Sequence, residues 1–160
     1  MLKAITDFFD RNLAGKSDLD TQRHAIELAT AALLLEVSRA DGDITAGERD
    51  AAMRALRGKF NLTPAEATEL FDLADAEVRA ATDTYQFTSL VNKHFTRDQK
   101  IRVVELMWQV AYADGDRDVF EDHMIRKLAD LIYVDHGDYI AAKLKARDAA
   151  TSGKRTDATD

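Results

Sequence analysis

Val37-Ser38-Arg39-Ala40-Asp41-Gly42-Asp43-Ile44-Thr45-Ala46-Gly47-Glu48 and Val110-Ala111-Tyr112-Ala113-Asp114-Gly115-Asp116-Arg117-Asp118-Val119-Phe120-Glu121 are two versions of one pattern. In both, Ala-Asp-Gly-Asp is followed by a glutamate seven residues after the first aspartate. A shift of 73 residues lays Val37 on Val110, Ala40 on Ala113 and Glu48 on Glu121. Asp and Gly stop helices and make turns. Thr45 with Glu48 has the spacing of a capping box, and Asp118 with Glu121 matches it. Each copy therefore reads as helix, acidic turn, helix. Two copies are too few for a solenoid; they suit a duplicated helix-turn-helix whose halves pack face to face.

Outward from these turns the chain keeps a helical period. Ile26, Ala29, Leu33 and Val37 predict a long helix over 20–40, and Ala52, Leu56 and Phe60 predict the next. Thr63-Pro64-Ala65-Glu66 is a helix start, with a capping threonine, proline at the first position and glutamate at the third. That helix runs through Leu70, Leu73 and Val78. A shorter helix over 84–93 carries Phe87, Leu90 and Val91. Thr96-Arg97-Asp98-Gln99 is a further capping box, opening a helix through Ile101, Val104, Trp108 and Ala111. Beyond the second turn, Ile125, Leu128, Ala129 and Ile132 face inward, and a last helix is expected over 138–149. Leu2, Ile5, Phe8, Phe9 and Leu13 form one stripe of an N-terminal helix. No stretch alternates with period two.

The fold class is all-α: a compact bundle of seven to eight helices with an internal two-fold helix-turn-helix duplication. Residues 1–17 are expected to be an amphipathic helix and linker, 18–150 the helical domain, and 151–160 a polar, disordered tail.

Composition narrows function by exclusion. A chain of 160 residues with 46% apolar content can form one cored domain. Its 22 basic and 29 acidic residues leave a net charge of −7, against a nucleic-acid binder. There is no cysteine, hence no disulfide, thiolate nucleophile or Cys-ligated zinc. One proline and seven glycines argue against a turn-rich β fold. Asp7 and Asp10 interrupt any apolar leader, and the longest nearly apolar run, 28–35, is far short of a bilayer span. A cytoplasmic location is expected. Residues 2–13 suit docking on the body better than contact with a membrane, having few basic residues.

The acidic turns carry the chemistry. Each resembles the second half of an EF-hand loop, whose ligands sit at positions 1, 3, 5, 7, 9 and 12 with glycine at 6. Asp41, Gly42, Asp43, Thr45 and Glu48 would fill positions 5, 6, 7, 9 and 12, as would Asp114, Gly115, Asp116, Asp118 and Glu121. Val37 or Val110 falls at position 1 and Arg39 or Tyr112 at position 3, so neither loop alone is an EF-hand. A site shared between the copies is the alternative: Asp41, Glu48, Asp114 and Glu121 supply four carboxylates for a hard cation. Helix capping alone also accounts for both glutamates. His24, His94, His123 and His136 lack the spacing of a helical zinc site, although His123 lies close to the second turn. No phosphate-cradling glycine loop and no nucleophile elbow occurs. Trp108, Met107 and Tyr112 read as core.

The twin turns on an all-helical chain resemble the tellurite-resistance TerB-like family, over roughly residues 20–147. The likeness is strongest over 95–143, through Val110-Ala111-Tyr112-Ala113-Asp114-Gly115-Asp116, Glu121-Asp122-His123-Met124-Ile125-Arg126-Lys127 and Asp138-Tyr139-Ile140-Ala141-Ala142-Lys143. The resemblance implies a compact all-α fold of two related halves, an acidic surface binding divalent cations, and a role in stress response or as an interaction module. A related domain precedes the J-domain in some membrane co-chaperones, but this chain has no His-Pro-Asp motif. Asp41, Glu48, Asp114 and Glu121 are the residues carried over first, with Asp43, Asp116 and Asp118 as secondary metal ligands. Arg117 departs from the apolar residue that Ile44 supplies in the first copy, placing a positive charge beside the second turn.

The expectation is a non-enzymatic, cation-responsive interaction module. Its cofactor is a divalent cation (Ca, Mg or Mn ahead of Zn), its partner an unidentified protein, with homo-oligomerisation open. The alternative is a metal-independent scaffold whose Asp-Gly turns are only helix caps.

Overall fold

The computed structural model describes residues 2–12, 19–40, 46–60, 62–79, 86–113 and 122–159. These form eight helices: α1 (Leu2–Asn12), α2 (Leu19–Ala40), α3 (Ala46–Phe60), α4 (Pro64–Arg79), α5 (Gln86–His94), α6 (Arg97–Ala113), α7 (Asp122–Leu131) and α8 (His136–Thr159). No strand occurs among the described residues. The all-α class expected from the helical period is what the structure has.

Helix α2 is the axis of the fold. Every residue from 28 to 36 is buried. A helix apolar on all sides must be surrounded, and α3, α4, α5, α6 and α7 all pack on α2. Ala29, Ala31 and Ala32 are small enough to let neighbours approach. Thr30, fully buried, satisfies its hydroxyl by donating to the Ile26 carbonyl at 2.8 Å.

Two of the expected capping boxes are formed. At the start of α4, Thr63 N–H donates to Glu66 Oε1 at 2.9 Å and Glu66 N–H donates to Thr63 Oγ1 at 3.1 Å. Leu62 and Ala67, the staple positions on either side, are both buried. At α6, Thr96 N–H donates to Gln99 Oε1 at 2.8 Å and Gln99 N–H donates to Thr96 Oγ1 at 3.2 Å.

The end of α7 is a Schellman turn. Tyr133 N–H donates to the Asp130 carbonyl at 3.1 Å and Val134 N–H to the Ala129 carbonyl at 2.9 Å. Tyr133 holds the left-handed position with φ 60°, where glycine is usual, and is 78% exposed.

Helix α1 folds back on the body. Ile5, Phe8 and Phe9 are at most 1% exposed. Phe8 meets Phe87 edge-on at 5.9 Å, and Phe9 packs on the His94 ring at 4.9 Å. Arg11 pairs with Glu69 of α4 at 2.6 Å. At the other terminus, α8 passes the stop expected near 149 and continues to Thr159, taking in most of the segment expected to be disordered. The sequence there has no proline to end a helix, and Gly153 alone costs only about 1 kcal/mol.

Candidate cation-binding turns and their surroundings

Asp41, Asp43, Asp114, Asp116, Asp118 and Glu121 lie outside the described residues. Glu48 falls in the first turn of α3, and its side chain also lies outside them. The Thr45–Glu48 and Asp118–Glu121 capping pairs fall with them. What the structure does place is the helices on either side of them. Helix α2 ends at Ala40 and α3 begins at Ala46; α6 ends at Ala113 and α7 begins at Asp122. Each acidic turn is thus the link from a long buried helix to a shorter one.

The four helices pack reciprocally. Besides α2 on α3 and α6 on α7, α2 packs on α6, α2 on α7 and α3 on α6. The long helix of each half therefore touches the short helix of the other.

Approaching the second turn, α6 carries an aromatic cluster. Trp108 stacks on Tyr112 at 5.8 Å and lies 5.9 Å from Tyr139 of α8. Lys143 Nζ sits 4.8 Å from the Trp108 ring centre, a cation–π contact. His136 stacks on Tyr139 at 6.0 Å. Trp108 is 4% exposed, and its indole N–H has no hydrogen-bond partner among the described residues. Met107 and Trp108 are core, as their spacing suggested, and Tyr112 is half-buried. His123 is exposed at the start of α7.

Approaching the first turn, the notable group is a carboxylate that sequence reading passed over. Glu36 is 2% exposed. It accepts hydrogen bonds from Phe87 N–H at 2.8 Å, Thr88 N–H at 3.1 Å and Thr88 Oγ1 at 2.7 Å. A side chain of α2 thereby caps α5, placing negative charge where the helix dipole and its orphan N–H groups favour it. A second buried carboxylate, Glu105, accepts from Arg102 at 2.6 Å and lies 3.5 Å from Lys145 of α8.

His24, half-buried, bridges Glu27 of its own helix at 3.4 Å and Glu66 of α4 at 2.8 Å. Burial alone would lower its pKa, but hydrogen bonds and attraction from Glu66 and Glu27 outweigh this and raise it. Glu66 is shifted down: burial pushes it up, and its bonds to Thr63 and His24 more than reverse that.

Among the described residues no group of three or more His, Asp or Glu side chains could hold a metal ion. The donors of the two turns are carboxylates, which suit hard cations and give zinc little of the nitrogen or sulfur it favours. The shallow hollow lined by Pro64, Ala65, Thr68, Glu69, Asp72 and Leu73 lies along one helix, and no perturbed pair converges on it.

A family model described as Tellurite resistance protein TerB matches residues 27–144. The chain belongs to the TerB family. The TerB match begins inside α2 and ends inside α8, so it takes in both acidic turns and leaves α1 outside. No curated protein and no solved structure matches the chain significantly. Among the described residues no helix is long and apolar enough to cross a membrane.

Proposed function

We propose that this TerB-family protein is a non-enzymatic module that binds a divalent cation through its twin acidic turns and uses it to control a protein contact. A tellurite-resistance-related role in general follows from the family; the cation step is the finer claim. The observation that carries it is the repeated Ala-Asp-Gly-Asp with its trailing glutamate, both copies inside the matched span. Asp41, Glu48, Asp114 and Glu121 would supply the main oxygen donors, with Asp43, Asp116 and Asp118 beside them. Carboxylates gathered in one place repel each other, and a cation relieves that repulsion. The reciprocal packing of the two halves supports such a joint, since a cation that draws one turn in would bias how all four helices pack.

One observation favours the rival, a metal-independent scaffold. This chain does form capping boxes at Thr63–Glu66 and Thr96–Gln99, so Glu48 and Glu121 have a ready structural use. Cation titration separates the two. Binding of Ca²⁺, Mg²⁺ or Mn²⁺ that is lost in the Asp41→Asn/Asp114→Asn variant supports the cation module. Unchanged cation affinity in that variant sinks it.

A further inference from the structure

The His24 bridge is built from two motifs that share one carboxylate. Glu66 Oε1 accepts the Thr63 N–H of the capping box, while Oε2 faces His24 Nε2 at 2.8 Å. His24 Nδ1 faces Glu27 Oε1 at 3.4 Å. An imidazolium donates from both nitrogens and satisfies both carboxylates. A neutral imidazole has one N–H, so one carboxylate must then face a lone pair. The shorter contact marks Glu66 as the bond that keeps the proton and Glu27 as the one that turns repulsive.

We propose that His24, Glu27 and Glu66 form a proton-operated latch that holds the N-terminal end of α4 against α2 while His24 is charged, and slackens when it loses its proton. Among the described residues, the charges bearing on His24 are Glu66 from α4 and Glu27 from α2. The next carboxylate along α4, Glu69, is engaged by Arg11 of α1. Deprotonation removes the ion-pair attraction and one N–H but leaves the other to donate to the Glu66 carboxylate, so the contact weakens without being abolished.

The two shifts set the working range. His24 has a raised pKa, so its contribution is complete below the unfolded-state value and fades as pH rises through the folded one. Glu66 has a lowered pKa, so its contribution is complete above the unfolded-state value and fades as pH falls through the folded one. The latch is closed between those limits and opens as pH rises through the raised His24 value.

The test is imidazole NMR titration of the full chain, with amide exchange of residues 67–70 followed across the same pH range and corrected for intrinsic exchange rates. His24 should titrate above the ordinary histidine value, and protection should fall about two- to five-fold as it deprotonates, the size of a half-exposed ion pair. In Glu66→Gln, which keeps the capping box because Gln serves there as well as Glu, the His24 midpoint should drop and the pH response vanish. His24→Gln should show a flat profile. A wild-type His24 that titrates at or below the ordinary value overturns the proposal, as does an undiminished fall in protection in His24→Gln.

Discussion

Leu33, Leu34 and Leu35 of α2 and Leu106, Met107 and Trp108 of α6, in register under the 73-residue shift, are all buried, yet the two helices part company on either side. Ala29 is fully buried, whereas Arg102 in the same register is exposed. Glu36 is buried and caps α5, whereas Gln109 is half-buried and reaches Glu105 on its own helix at 3.4 Å. Helix α2 is enclosed by five neighbours, while α6 has α8 as its main one. The two copies share an inner stripe and differ on the outer one. A repeated turn therefore need not mean two equivalent sites, and the Ile44-to-Arg117 change points the same way.

Removing the Glu36 carboxylate is the most severe test of this asymmetry. Glu36→Ala leaves the α5 N–H groups of Phe87 and Thr88 without their acceptor in a buried place. A loss of about 3 kcal/mol is expected in urea unfolding, against about 0.5 kcal/mol or less for Gln109→Ala. Equal losses would break the comparison.

A gain is expected at the far end of the second half. Tyr133→Gly relieves a left-handed backbone position and should stabilise the protein by about 0.5–1 kcal/mol in the same assay. No gain would show that the contact of Lys100 with the Tyr133 ring, at 5.8 Å, offsets the backbone cost.

Trp108, the chain's single tryptophan, sharpens the comparison without altering stability. It lies six residues before Asp114, stacked on Tyr112 and covered by Lys143. Cation addition should shift its emission in wild type, and the shift should shrink in Asp41→Asn and further in Asp114→Asn. An undiminished response in Asp41→Asn would mean that the second turn binds alone.

The legible part of the fold was its local part. Thr63–Glu66 and Thr96–Gln99 are contacts three residues apart, and the helices around them follow from a 3.6-residue period. Glu36 could not be found that way: its partners are Phe87 and Thr88, 51 and 52 residues away, and in sequence it only closes an apolar run. The His24–Glu66 contact spans 42 residues and was hidden for the same reason. The continuation of α8 past 149 is not legible in its polar composition; the absence of a proline is the local signal for it. Of the candidate site, the sequence offers the donors and the structure their flanking helices; Asp41, Asp43, Asp114, Asp116, Asp118 and Glu121 lie outside the described residues.

The most direct measurement is thermal unfolding of chelator-treated protein with Ca²⁺, Mg²⁺, Mn²⁺ and Zn²⁺, beside the Asp41→Asn/Asp114→Asn variant. A ligand that binds only the native state raises the midpoint by mass action, by about 2.7 kcal/mol of stability at a hundredfold excess over Kd. The cation module predicts a rise with an oxygen-preferring cation in the wild type and none in the variant. No rise with any cation, or an equal rise in both proteins, would contradict it.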